Sequence, residues 1–372
     1  MIKTFHTVQL NKVSKFAILL LLSFNVSLAQ NSQKTKYYNA DQFYLYGKAF
    51  DNTPNRYHRV DTALYNDLSP TIKRLLSNSA GLAIVFKTNS TTVSAKWTVG
   101  GNKPLSNMTP IAQKGLDLYI KKNGKWEFAG VGKPNGNTGN GTIVESMDSS
   151  DKECMLFLPL YDELKQLEIG VDENSTISSL ENPFRKKIVI YGSSIVHGAS
   201  AGRPGMAYPA QLSRTTGLYF INLGMSGNAK MEPEAAKMVS DITQVDAFIL
   251  DCIPNPSPVQ IKERTENFIK TIRQKHPKTP IILVQTIIRE LGNFNLHWRT
   301  QVQDQNDEAT AAFNRLKNAG IKDIYLIKGE HLIGDDHEGT TDGTHPNDLG
   351  FYRMTEQLSP QIMKILSPYG IK

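Results

Sequence analysis

The stretch "DGTHP" places Asp342 three residues before His345, a spacing at which a carboxylate can orient an imidazole and support the proton it takes up. An imidazole held in this way can activate a serine, whose hydroxyl is a poor nucleophile until a neighbouring base takes its proton. Two adjacent serines stand far upstream, in "KKIVIYGSSIVHGAS" (186–200), where an apolar run ends in a turn carrying Ser193 and Ser194. Between serines and histidine lie "GMSGN" (224–228) with Gly227, and "IPN" (253–255) with Asn255. A glycine-loop N–H and a side-chain amide are the donor types that stabilise a developing oxyanion. A serine, two oxyanion donors and an Asp/His pair together make the parts list for acyl transfer. Each piece alone has a simpler explanation. "GSS" also fits a strand-to-helix turn with an N-cap serine, "GMSGN" a plain glycine loop, Asn255 a turn residue between two prolines, and "DGTHP" a helix start. A phosphate loop fits worse, because neither G-x-x-x-x-G-K-[ST] nor G-x-G-x-x-G occurs.

What gathers these residues is their position relative to the strands. From Lys186 onward apolar, β-branched runs recur: "KIVIYG", "LYFINLG" (218–224), "AFILDCI" (247–253), "PIILVQT" (280–286) and "DIYLIKG" (323–329). Amphipathic stretches such as 261–275 and 308–319 separate them. Strands so continuously apolar are buried on both faces, as in a parallel sheet covered by helices. The repeated strand–helix order predicts a doubly wound, three-layer α/β sandwich, in which ligands sit outside the carboxyl ends of the strands. Ser193 and Ser194 follow the first run, Gly227 the second and Asn255 the third, so one site is expected to collect them.

From about residue 37 to 180 the texture is different. "GLAIVFKTN" (81–89), "TTVSAKWTV" (91–99), "GLDLYIKKNGKWEFAGV" (115–131) and "ECMLFLPL" (153–160) are short runs rich in β-branched and aromatic residues, separated by turn chemistry. Asn123-Gly124 is a strong hairpin signal, since a type I′ turn wants φ > 0 at both central residues. This half is expected to be a β-sandwich, with one short helix or loop in 62–79. Trp97, Trp126 and Tyr119 suit a sandwich core better than sugar platforms. Residues 170–185, polar and closed by Asn182-Pro183, make a linker.

The start of the chain reads as a leader. Lys3, Lys12 and Lys15 precede an apolar run, and Ser27-Leu28-Ala29 makes a small-x-small cleavage site, which together describe a secretory signal peptide over 1–29. The expected organisation is therefore a leader at 1–29, a sandwich at 30–180 and an α/β domain at 186–372, working in the periplasm or outside the cell. No later stretch is apolar and long enough to span a bilayer. The formal charge is +7, and three lysines but no acids fall in the leader, leaving a modest +4 without a basic stripe; nucleic-acid binding has no support. Two cysteines, Cys154 and Cys252, are too few for a disulfide scaffold and lie in separate strand-like runs, which favours two buried thiols.

With these residues in view, the chain resembles the SGNH hydrolases (GDSL-type esterases), whose four short blocks match "GSSI" (192–195), "SGN" (226–228), "IPN" (253–255) and "DGTH" (342–345) in order. The resemblance implies Ser194 as nucleophile, His345 as base and Asp342 as its orienting partner. It implies an oxyanion hole from the backbone N–H of Ser194 together with Gly227 and Asn255. It also implies a flavodoxin-like, five-stranded parallel sheet. Two departures mark a distinct branch: Ser193 replaces the usual Asp before the nucleophile, and Pro256 replaces the Asp after the third-block Asn, with Ile253-Pro254 displacing the glycines. "GLDLY" and its surroundings resemble the G-x-D-L-Y, jelly-roll-like sandwich that precedes some bacterial SGNH esterases. The activity implied is hydrolysis of small acyl esters, most of all O-acetyl groups on carbohydrate, without cofactor or metal. A lipid or thioester hydrolase and a non-catalytic glycan-binding module are the rival outcomes. His197 and Arg203, on the loop after the nucleophile, are candidates to line the substrate cleft; "GDDHEG" (334–339) reads as a surface acidic loop. Nothing in the sequence points to an oligomeric state.

Overall fold

Apolar strands that do not alternate with polar residues must be covered on both sides, and the molecule meets that demand twice. The computed structural model of the protein describes residues 34–372, so the expected leader lies outside the described residues. The first half supplies β1 (Thr35–Asn39), β2 (Tyr44–Tyr46), β3 (Ala83–Thr88), β4 (Val93–Val99), β5 (Leu116–Lys122), β6 (Lys125–Gly132), β7 (Thr138–Val144), β8 (Lys152–Phe157), β9 (Leu164–Asp172) and β10 (Ile177–Ser179). All pair antiparallel, in a four-stranded sheet ordered β1-β9-β4-β7 and a six-stranded one ordered β10-β3-β8-β5-β6, with β2 also on β3. This is the expected β-sandwich. Asn123 and Gly124 join β5 to β6 with φ of 51° and 77°, the signature of the type I′ turn. Two short helices interrupt the strands, α1 (Pro70–Ser77) and α2 (Pro110–Lys114). Part of the stretch expected as linker is sheet: residues 170–172 pair with β1 and β4, and 177–179 pair with β3.

The second half supplies β11 (Arg185–Gly192), β12 (Leu218–Gly224), β13 (Ala247–Asp251), β14 (Ile281–Val284) and β15 (Ile324–Ile327), all parallel, in the order β12-β11-β13-β14-β15. That order is the flavodoxin-like one. Its helices are α3 (Ser194–His197), α4 (Tyr208–Thr216), α5 (Pro233–Ser240), α6 (Pro258–Lys275), α7 (Leu296–Asn318) and α8 (Asp348–Leu366). The two-residue period of a strand sends alternate side chains to opposite layers. Ile188, Ile190, Phe220, Ile249 and Ile282 pack with Tyr208 and Leu212 of α4 and with Phe351, Met354 and Leu358 of α8. Val189, Tyr191, Ile221, Phe248 and Leu250 pack with Val239 of α5, Ile261 and Phe268 of α6, and Leu316 of α7.

The two halves share this second core. In β3, Ile84 and Phe86 face the sandwich interior while Ala83 and Val85 turn outward into the core built on Val189 and Tyr191, joined there by Tyr46, Tyr119, Met155 and Phe157. The outer face of the six-stranded sheet is thus apolar for the same reason as the inner one. Polar ties reinforce the seam: the Tyr46 hydroxyl donates to Phe220 O (2.8 Å), and the Tyr219 hydroxyl accepts from Gly47 N (3.1 Å). Residues Thr35–Lys372 accordingly form one compact unit. Trp97 and Tyr119 are core residues, and Cys154 and Cys252 are free, buried thiols in different cores. Among the described residues, no helix is long and apolar enough to cross a membrane.

Candidate active site

Gly192, the last residue of β11, stands in register with Gly224 of β12 and Asp251 of β13, so the loops that follow leave the sheet side by side. Met225 N donates to Gly192 O (2.8 Å) and Ser193 N to Asp251 O (3.1 Å), stitching these three strand ends together. A Cβ on Gly192 would lie 2.2 Å from Val196 Cγ2 and 2.4 Å from Asp251 O, so only glycine lets the turn close. The two serines then part company. Ser193 is fully buried and its Oγ accepts from Ile195 N (3.2 Å), capping α3. Ser194 opens α3, where a backbone N–H has no intrahelical acceptor. Its Oγ lies 3.0 Å from His345 Nε2.

The Asp342–His345 turn is held by its own backbone. Asp342 Oδ1 accepts from the N–H groups of Thr344 (3.0 Å) and His345 (2.8 Å), and Thr341 N donates to His345 O (2.9 Å). Asp342 Oδ2 lies 2.8 Å from His345 Nδ1. With Oδ2 accepting, Nδ1 carries the ring hydrogen and Nε2 presents its lone pair to Ser194. Partial burial pushes the Asp342 carboxyl upward, but the His345 N–H, the His345 ring and its charge, and the Thr344 N–H outweigh it and bring the group down to about 2. The turn is not itself a helix start: Asn347 caps α8, accepting from Gly350 N (2.9 Å).

Gly227 and Asn255 fall on the two neighbouring loops. Gly227 has φ of 69°, a conformation that favours glycine, and a Cβ there would meet nothing within 4 Å, so the residue faces open space. The Asn255 side-chain amide donates to Asn228 O, which ties the third loop to the second and leaves its other N–H uncommitted by that bond. Pro254 and Pro256, the departures flanking Asn255, are fixed from a distance. Buried Gln305 of α7 donates to Ile253 O (3.1 Å), Pro254 O (3.3 Å) and Pro256 O (2.7 Å), and Arg289 donates to Pro254 O (2.7 Å). The Gly227 loop has a comparable anchor in Arg59, fully buried, which donates to Asn222 O (3.0 Å) and Gly224 O (2.9 Å) at the end of β12 and to Leu75 O (2.6 Å) and Asn78 O (3.0 Å) in the first half.

Of the two residues expected to line the cleft, His197 is buried away from it and Arg203 is held by the first half of the chain. His197 is fully buried, its ring stacked on Tyr161 with centroids 4.0 Å apart and Nε2 donating to Leu160 O (2.7 Å). Burial, aided by the nearby Arg59 charge, pushes its pKa well below the ordinary histidine range, so it stays neutral. It sits in the short helix that follows the nucleophile and faces the sandwich half. Arg203 pairs with fully buried Asp117 of "GLDLY" (Nη1 to Oδ1 3.0 Å and Oδ2 2.8 Å), while its guanidinium lies 4.1 Å from the Phe128 ring centre. Asp117 Oδ2 also accepts from Gly205 N (2.8 Å), so the signature aspartate holds the loop after the nucleophile. In "GDDHEG", Asp336 pairs with Arg353 and His337 with Glu290.

Three contributors were invisible in sequence: Arg59, Gln305 and Asn107. The last, from the sandwich half, places its Nδ2 3.0 Å from Asp342 Oδ2 and 3.3 Å from His345 Nδ1. An open cleft of about 790 Å³, lined by Glu290, Leu291, Phe294, Asn295 and Leu296, reaches Asp342.

Known proteins carry the same organisation. Residues 185–363 match the GDSL-like lipase/acylhydrolase family, and residues 35–177 match the GxDLY region, described as the N-terminus of SGNH-hydrolase-type esterases. No curated protein matches the chain. Among solved structures, a Bacteroides ovatus protein named as a GDSL-like lipase is 56% identical, with a TM-score of 0.88, covering 90% of this chain and 98% of its own. A salicylyl-acyltransferase from a tetracycline biosynthetic pathway shares the fold at 20% identity and a TM-score of 0.70, over 91% of this chain and 99% of its own. A family two carbohydrate esterase from Cellvibrio japonicus does so at 12% identity and a TM-score of 0.60, over 90% and 98%. High identity across both halves, with the two family regions in the same order, makes this chain a member of the GDSL-like lipase/acylhydrolase (SGNH hydrolase) family that carries the GxDLY N-terminal region.

Proposed function

We propose that the protein is an exported serine esterase that removes small acyl groups, acetyl above all, from carbohydrate. The observation that carries the reading is the continuous relay from Asp342 through His345 to Ser194, with contacts of 2.8 and 3.0 Å. In the first half-reaction Ser194 Oγ attacks the ester carbonyl as its proton passes to His345 Nε2. The carbonyl oxygen becomes an oxyanion, met by the N–H groups of Ser194 and Gly227 and by the Asn255 amide. Collapse breaks the bond to the alcohol oxygen, which leaves with the proton from Nε2, and the acyl group stays on Ser194. Water then attacks the acyl-enzyme, giving its proton to His345, and the carboxylic acid departs as Ser194 recovers the proton. Each oxyanion donor is worth roughly 100-fold or more in rate.

The sugar component draws support from the cleft beside Asp342. It combines exposed apolar groups, with Phe294 97% exposed, and the hydrogen-bonding side chains of Glu290, Asn295 and His337. That mixture suits the apolar faces and hydroxyl edge of a sugar ring better than an alkyl chain. Carbohydrate esterases share the fold. Export rests on the leader features of residues 1–29.

Acetate release from a panel of acetylated polysaccharides, wild type against Ser194→Ala, tests the reading. Release by the wild type and none by the variant, with melting temperature preserved, is expected. Nitrophenyl esters of long acyl chains cleaved as well as or better than the acetate would point to a lipid hydrolase instead.

A further inference from the structure

The loop between β4 and α2 belongs to the sandwich half, yet it ends against the reacting groups of the other half. Three successive residues dock there. Asn107 reaches Asp342 and His345, Met108 Sδ accepts from Ser200 N (2.9 Å), and Thr109 Oγ1 donates to Gly202 O (2.7 Å). The loop is braced from behind by Gln113, which donates to Lys103 O (2.7 Å) and accepts from Leu105 N (3.1 Å). Thr109 also caps α2, accepting from Ala112 N (3.0 Å). An asparagine presented on so supported a loop has little freedom to turn away.

We propose that Asn107 is a positioning residue of the catalytic pair, supplied by the GxDLY half, and that through Asp342 it holds the His345 ring in line with Ser194. The proposal rests on the esterase reading above for its chemistry. Its geometry admits one arrangement of hydrogens. His345 Nδ1 spends its hydrogen on Asp342 Oδ2 and so cannot accept from Asn107; the Asn107 hydrogen goes to Oδ2 as well. Turned over, the amide would set its oxygen against the carboxylate, acceptor facing acceptor, so the nitrogen faces Asp342. Four donors then converge on one carboxylate: Thr344 N and His345 N on Oδ1, His345 Nδ1 and Asn107 Nδ2 on Oδ2.

Two consequences follow from that arrangement. Asn107 fixes the rotation of the carboxylate, and through it the plane of the imidazole that must point Nε2 at Ser194. The amide also sets the positive end of its dipole against the carboxylate and offsets part of its charge. Among the described residues, Asp342 is the charged group in hydrogen-bond contact with that ring, and Ser194 and Asn107 are its neutral polar partners. This gives the sandwich half a part in catalysis itself, apart from any role in gripping substrate.

The full-length protein carrying Asn107→Ala or Asn107→Asp tests this with two readouts. On nitrophenyl acetate, Asn107→Ala is expected to lower kcat/KM roughly 10- to 100-fold, the range for a lost hydrogen bond to a charged group. Asn107→Asp brings a second carboxylate to the ring and is expected to move the acidic midpoint of the pH profile upward by about one to three units. The second readout needs no turnover: the nitrogen-15 titration of the His345 ring, assigned with His345→Gln, moves upward in parallel. A midpoint and ring titration unchanged in Asn107→Asp overturn the proposal, whatever happens to the rate. A wild type without Ser194-dependent turnover defeats the esterase reading alone, and the ring titration still decides the role of Asn107.

Discussion

At the scale of single residues, the site pairs an ionised carboxylate, Asp342, with a proposed base, His345. Asp342, held down to about 2, keeps its charge until the medium becomes strongly acidic. A carboxylate with a depressed pKa gives up its contribution only as pH falls through that value, so Asp342 is not expected to limit activity at milder pH. In the proposed mechanism a protonated His345 cannot act as base, because the imidazolium has no lone pair for the Ser194 proton. The acidic limb of log kcat/KM against pH is therefore expected to have a slope of one, from a single proton. A slope of two, or a profile flat between pH 5 and 8, would remove His345 from the role of base. Ser194, Asp342 and His345 were legible in the sequence because each stands at a fixed offset from a strand end or from its partner. The choice of Ser194 over Ser193 needed the resemblance, and the structure gives its cause: Ser193 Oγ is committed to capping α3. Asn107, Arg59 and Gln305 left no such mark, since a lone Asn, Arg or Gln has no spacing that announces a contact across more than a hundred residues or between separate helices and loops.

At the scale of elements, the register of β11, β12 and β13 does most of the positioning, and one buried group at its edge shows the cost. Asp251 ends β13; its backbone oxygen accepts from Ser193 N, and its carboxyl is buried with the Tyr208 hydroxyl donating to Oδ2 (2.7 Å). Burial, only partly offset by that hydrogen bond, pushes the carboxyl up to about 6 from 3.8. The sign follows directly. Between those two values the unfolded chain loses its proton before the folded one does, so stability falls as pH rises through the window and levels off above it, by at most about 3 kcal/mol. Asp251→Asn keeps an acceptor for Tyr208 and carries no charge. It is expected to raise Tm at pH 7.5 and to flatten the decline between pH 4 and 6; an unchanged or lower Tm at pH 7.5 would contradict the account. The strands were the most legible elements, because β-branched runs and the Asn123-Gly124 turn speak locally. The polar stretch at 170–185 misled, since the partners of residues 170–172 and 177–179 lie in β1, β3 and β4, far away along the chain.

At the scale of the whole molecule, the chain divides by sequence texture and joins by chemistry. Arg59, Asp117, Asn107 and the stacked Tyr161 come from the sandwich half, and each meets a strand end, helix or loop that carries, precedes or follows a candidate site residue. The apolar seam from Tyr46 and Val85 to Val189 and Tyr191 makes the two halves one body, so the site is built across both. Composition pointed to two separate folds because it records which residues are apolar and not which faces they cover. The central claim remains chemical: Ser194 takes the acyl group. Mass spectrometry of enzyme quenched in acid during turnover of nitrophenyl acetate tests it most directly. An acetyl adduct on the peptide bearing Ser194, absent in Ser194→Ala, is the result expected. Turnover that leaves no adduct on that peptide, or survives in Ser194→Ala, would contradict the claim.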